Sequence, residues 1–153
     1  GDWVRPGISL YGVSPFAQRP ASMLGLLPVM SFETMVIAVR QVGVGQSVGY
    51  GGSWRASRDS RIAILAAGYA DGVPRQLPSG SPVLIGGVRA PLVGRVSMDM
   101  TAVDVTDNPG VTVGTPALLW GPQLPVEQIA AAAGTIAYEL LSRIGRRVQL
   151  QYC

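Results

Sequence analysis

Glycine and proline interrupt this chain so often that a long regular element has no room to form. Twenty glycines and twelve prolines are spread through 153 residues, and each tends to end, bend or turn the segment it occupies. Many short strands fit that punctuation better than a few long helices. Candidate strands are Phe32 to Arg40, Arg61 to Tyr69, Pro82 to Ile85, Val88 to Leu92, Val93 to Val96, Thr101 to Val105 and Thr115 to Trp120. Gly86-Gly87 between two of them is a two-residue hairpin signal. Arg61 to Tyr69 is mostly apolar, as suits a strand buried on both faces. Ahead of these, Trp3 to Tyr11 reads as extended with a break at Arg5-Pro6-Gly7, and Ser14 to Pro28 reads as a linker holding three prolines.

Two helices are expected near the C-terminus. Pro125 suits a first helical position, Glu127 the first turn, and Gly134 the stop. Thr135 then suits an N-cap for Ile136 to Ile144, with Gly145 ending that helix. On such a helix Ile136, Leu140 and Ile144 share one face, while Tyr138 and Ser142 lie on another. Val148 to Tyr152 alternates as a last strand. The fold class expected is mainly β, an antiparallel barrel or sandwich with two short helices near its end.

The types of residue present exclude much chemistry. All twelve basic residues are arginine, and there is no lysine or histidine. A Ser-His triad, a Cys-His dyad, a histidine metal site and a lysine-linked cofactor are therefore impossible within the chain. The one cysteine, Cys153, can form neither an intrachain disulfide nor a multi-cysteine metal site. A formal charge of +3 spread along the chain gives little support to a nucleic-acid or membrane surface.

Charged residues are 14% of the total, against roughly 25% in an average soluble domain. A surface so poor in charge is expected where another domain or subunit covers part of it. No apolar run reaches the ~18 residues a bilayer span needs. Gly1-Asp2-Trp3 resembles neither a signal peptide nor an initiation site, so the expectation is an excised piece of a soluble cytoplasmic protein.

Four segments hold residues that can carry chemistry. Tyr50 lies in Gln46-Ser-Val-Gly-Tyr-Gly-Gly52. Flanking glycines allow unusual backbone angles, so the phenol is either presented at a cleft or simply covers a strand end. As a base it would need cationic neighbours to lower a pKa of about 10. Gly68-Tyr-Ala-Asp-Gly-Val-Pro-Arg75 joins an aromatic, a carboxylate and a guanidinium, although Asp71-Gly72 is also a plain turn signal. In Gly94-Arg-Val-Ser-Met-Asp-Met100, Arg95 and Asp99 are spaced for an ion pair around a bend. Arg5-Pro6-Gly7-Ile8 can offer a guanidinium and backbone amides to an anion.

Taken in order, RPGISLYG, VGYGG, GYADGVPR, VGRVSMDM, LLWG and the AAGTIAYELL helix span Arg5 to Tyr152. Together they resemble the C-terminal portion of bacterial alanine racemases. The resemblance implies that residues 1–16 are a remnant of an N-terminal TIM-like barrel and 17–153 a C-terminal β domain. In that family a lysine of the barrel carries pyridoxal 5'-phosphate, and the β domain completes the active site of a second subunit in a homodimer.

It further implies a role for each matching position. Arg5 meets the pyridine nitrogen of the cofactor, Gly7 and Ile8 hold its phosphate through backbone amides, and Tyr138 hydrogen-bonds that phosphate. Tyr50 is the acid/base on the second face of the substrate. The Met98 amide meets the substrate carboxylate, and Tyr69 lines the entrance. The implied reaction interconverts L- and D-alanine, supplying D-alanine for peptidoglycan; a related racemase acting on serine fits the same motifs. Two other readings compete: a β module that only dimerises or caps a barrel, and an OB-like nucleic-acid binder. The last is disfavoured, since the arginines do not cluster and no aromatic pair forms a stacking platform.

Overall fold

A computed structural model describes residues 1–16 and 18–152; Cys153 lies outside them. Strands β1 (Phe32–Val42), β4 (Ser60–Leu65), β5 (Pro82–Ile85), β6 (Val88–Pro91), β7 (Thr101–Asp104) and β8 (Pro116–Trp120) form six strands in the order β6-β5-β8-β1-β4-β7. Every neighbouring pair is antiparallel. A bridge between Leu92 and Val103, with the Val93 amide donating to the Ala102 carbonyl at 2.9 Å, joins the two outer strands. The sheet is thus a nearly closed barrel, which settles the choice between barrel and sandwich.

Strand β1 serves both halves of the wall. Its start pairs with β8, Phe32 opposite Trp120, and its end pairs with β4, Val42 opposite Ser60. The register shifts between Val36 and Ala38, and a bulge there bends the strand and increases its twist. Phe32 and Trp120 meet edge-to-face with centroids 4.7 Å apart. The β5–β6 hairpin turns at Gly86-Gly87, with φ +58° and +82°; both glycines are in the left-handed region, as a type I′ turn demands. Val36, Leu65, Ile85, Leu92 and Val103 fill the interior.

Helices α1 (Val126–Ala132) and α2 (Ala137–Ser142) pack Ile129 and Leu140 into the same core. Gly134 takes φ +68° and its amide donates to the Ala131 carbonyl, so it stops α1 as expected. Among the described residues, no helix is long and apolar enough to cross a membrane.

Several expectations fail, each for a local reason. Pro125 precedes α1 with extended backbone and is not its first helical residue. Ile136 is likewise extended and exposed before α2, so the face it was to share with Leu140 and Ile144 does not form. Thr135 caps nothing; its hydroxyl donates to the Glu139 carboxylate. Gly145 comes after α2 has ended and is small for another reason: a Cβ there would stand 2.4 Å from the Ala70 carbonyl oxygen.

The sheet itself is shorter than expected in places. Val148 to Tyr152 and Val93 to Val96 form no strand, and β4 stops at Leu65. Gly7–Tyr11 is a 3₁₀ turn instead of an extended run, and a second one, Ala21–Leu24, lies inside the expected linker. Trp3 to Gly7 is exposed, but Ile8 and Val13 are buried in the core.

Candidate active site

Tyr50 is carried by a small unit the strand reading missed, the two-residue strands β2 (Ser47–Val48) and β3 (Trp54–Arg55). Between them Gly49, Gly51 and Gly52 all have positive φ, at 78°, 70° and 57°. Side chains are strained at such angles, so the glycines allow a turn this tight. Tyr50 stands out from it, 69% exposed. The unit sits on the loop that follows β6: a Cβ on Gly94 would come within 2.7 Å of the Val48 carbonyl oxygen. Gly94 is what lets the two backbones touch.

The same loop bears Met98 and is bonded to the loop bearing Tyr69. Tyr69 donates its amide to the Ser97 carbonyl at 2.9 Å, and Ala70 donates to the Met98 carbonyl at 3.0 Å. Gly68 makes that approach possible, since a Cβ there would lie 2.4 Å from both carbonyl oxygens. Tyr69 is half-buried and Met98 is exposed. Tyr50, Tyr69 and Met98 therefore sit on loops that touch one another.

Asp71 holds this set together. Its carboxylate accepts the Gly68 amide at 2.8 Å and two hydrogen bonds from Arg147, Nε at 2.6 Å and Nη2 at 3.0 Å. Arg147 Nη2 also donates to Asp99 at 2.7 Å. Asp99 thus pairs with Arg147, and the expected pair with Arg95 is not formed. Arg147 went unnoticed in the sequence because nothing local marks it: its partners lie 76 and 48 residues away.

Burial pushes the Asp71 carboxyl up, but hydrogen bonds from Arg147 and the Gly68 amide, with the charge of Arg147, outweigh it and hold the group below the ordinary range. The same two carboxylates raise the Arg147 guanidinium. A lowered carboxyl stabilises the fold above its unfolded pKa of about 4 and loses that contribution as pH falls through the lower folded value. Asp71→Asn in the full-length protein is therefore expected to weaken the fold at neutral pH and to flatten its acid limb below about pH 4. Urea midpoints taken from pH 2 to 7 read this directly. An acid limb as steep as wild type would remove Asp71 as a contributor.

The remaining expected site residues lie elsewhere. Ile8 and Tyr138 line one groove of about 870 Å³, together with Thr135, Ile136 and the proline-rich segment up to Pro28. The Gly7 and Ile8 amides donate to no backbone acceptor among the described residues. Tyr138, at the start of α2, is about half exposed. Arg5 is exposed and is not part of the groove wall.

The chain is thus a β-barrel domain whose loops carry an exposed, glycine-framed tyrosine. A family model for the alanine racemase C-terminal domain matches residues 29–152. The chain is 56% identical to the alanine racemase of Stutzerimonas stutzeri, over 98% of its own length and 42% of that protein. It superposes on the biosynthetic alanine racemase of Pseudomonas aeruginosa with a TM-score of 0.97 at 54% identity, covering 99% of this chain and 42% of that one. The alanine racemase of Bartonella henselae, solved with covalently bound pyridoxal phosphate, gives 0.82 at 37% identity, covering 92% and 39%. The chain belongs to the alanine racemase C-terminal domain family, and spans about two fifths of the length of these relatives.

Proposed function

We propose that this chain is the C-terminal part of an alanine racemase and lends Tyr50 to the active site of a second subunit. The placement of Tyr50 carries the reading: an exposed phenol on a glycine turn, seated on the loop that bears Met98, in a domain of this family. Racemisation must take a proton from one face of Cα and return one to the other, so two positioned bases are needed. With no lysine in the chain, Tyr50 serves one face and the other base comes from the N-terminal barrel. The Met98 amide binds the substrate carboxylate, and Tyr69 narrows the approach to it.

The groove fits a phosphate-bearing cofactor in that Ile8, whose amide has no backbone acceptor among the described residues, and Tyr138 both line it. Gly7, Ile8 and Tyr138 would hold that phosphate. Arg5, protonated at any working pH, would donate to the ring nitrogen. Pyridoxal phosphate, when bound, supplies the electron delocalisation that makes the α-proton acidic. An arginine at the ring nitrogen keeps that delocalisation moderate and so limits transamination.

Residues 1–16 would be the barrel remnant. Trp3, Val4, Leu10, Tyr11 and Phe16 are exposed along it, which supports cover by the rest of the subunit. The exposed apolar residues also suit a module that only associates, and the assay separates the two. The full-length protein should interconvert L- and D-alanine, followed by polarimetry. This chain alone should do neither that nor give a stoichiometric cofactor absorbance once its N-terminal amine is blocked. A full-length protein inactive on alanine, or much faster on serine, would overturn the reading.

A further inference from the structure

We propose that Arg147 is a positioning residue that clamps the Met98 peptide for the substrate carboxylate, and that the clamp sets KM and leaves kcat alone. The inference rests on the reading above that the Met98 amide receives that carboxylate. Its support is in the hydrogen bonds. The Met98 carbonyl accepts from the Ala70 amide at 3.0 Å and from Arg147 Nη2 at 3.5 Å, while the Met98 amide has no acceptor among the described residues. One side of the residue is tied and the other is left free to bind.

Met98, Asp99 and Met100 are all exposed, so packing does little to fix their loop. Its own turn, Ser97 to Met100, fixes its shape but not its position. The Tyr69 and Ala70 amides hold it at the Ser97 and Met98 carbonyls, and Arg147 adds a side-chain tie at Asp99. The planar fork grips Asp71, whose side chain is 13% exposed, and the same Nη2 reaches Asp99 on the Met98 loop. The tail around Gly145 is itself anchored, its amide donating to the Asp71 carbonyl at 3.0 Å. Arg147 also places a cation between two carboxylates that would otherwise repel an incoming carboxylate.

The test uses the full-length enzyme with Tyr50 intact. Arg147→Lys keeps a counter-ion for Asp71 but loses the planar fork that grips Asp71 through two nitrogens while reaching Asp99. It should raise KM for L- and D-alanine about tenfold, as expected for lost hydrogen bonds between charged groups, with kcat within about twofold. The inhibition constant of propanoate, which is alanine without its amine, should rise in parallel. Asp99→Asn keeps an oxygen acceptor and should fall between wild type and Arg147→Lys. Adding Asp99→Ala to Arg147→Lys should raise KM little further, because both cut the same tie. If wild type racemises alanine and Arg147→Lys leaves KM and the propanoate constant unchanged, or lowers kcat alone, the clamp is wrong. A wild-type enzyme inactive on alanine removes the functional reading, and the clamp with it.

Discussion

Tyr50→Phe in the full-length enzyme should slow racemisation by about 10²–10⁴-fold, the usual cost of losing a positioned acid/base. The change deletes one hydroxyl from an exposed side chain on a turn shaped by glycines, so fold and association should be unaffected. The loss should fall on one enantiomer. With Tyr50 facing the α-proton of L-alanine, solvent-deuterium exchange at Cα disappears for L-alanine and persists for D-alanine, which uses the barrel's lysine. Exchange is measured for each enantiomer separately by NMR. Near-wild-type exchange from both would leave Tyr50 as a turn residue without a catalytic part.

Gly68→Ala is expected to disrupt the domain with a single methyl group. The added carbon would stand 2.4 Å from the carbonyl oxygens of Ser97 and Met98, which are backbone atoms and cannot rotate away. Overpacking of this kind costs about 3 kcal/mol at its upper range, a fall of roughly 10 °C in Tm for a domain of this size. Any folded fraction has the Tyr69 and Met98 loops pushed apart, so KM should rise as well. A melting curve of the domain, with the steady-state constants of the full-length enzyme for alanine, reads both effects. Wild-type Tm with wild-type KM would show that the loops do not depend on this contact.

Punctuation and apolar runs mark most of the barrel in the sequence. Gly86-Gly87 marked a hairpin that forms with the dihedral angles its turn requires, and Phe32 to Arg40 is the greater part of β1. What failed was decided at long range. Ile136 has the spacing of a helix face but lies in extended backbone before α2. Val148 to Tyr152 alternates yet finds no strand to pair with. At the site, glycines and a turn mark the segments of Tyr50 and Tyr69, whereas Met98 is marked only by the family resemblance. Arg147 is marked by neither, because its meaning lies in two carboxylates far along the chain.

The double pairing of β1 fixes an order of events at the ribosome. Its second half finds β4 soon after synthesis, but its first half must wait for β8, some fifty residues beyond Leu65. At 5–20 residues per second that wait lasts roughly 3–10 s. Through it Phe32 to Met35 present an unpaired edge and Phe32 has no Trp120 to pack on. Nascent chains of this domain are therefore most open to wrong strand pairing in the interval before Trp120 emerges, and slower translation lengthens it.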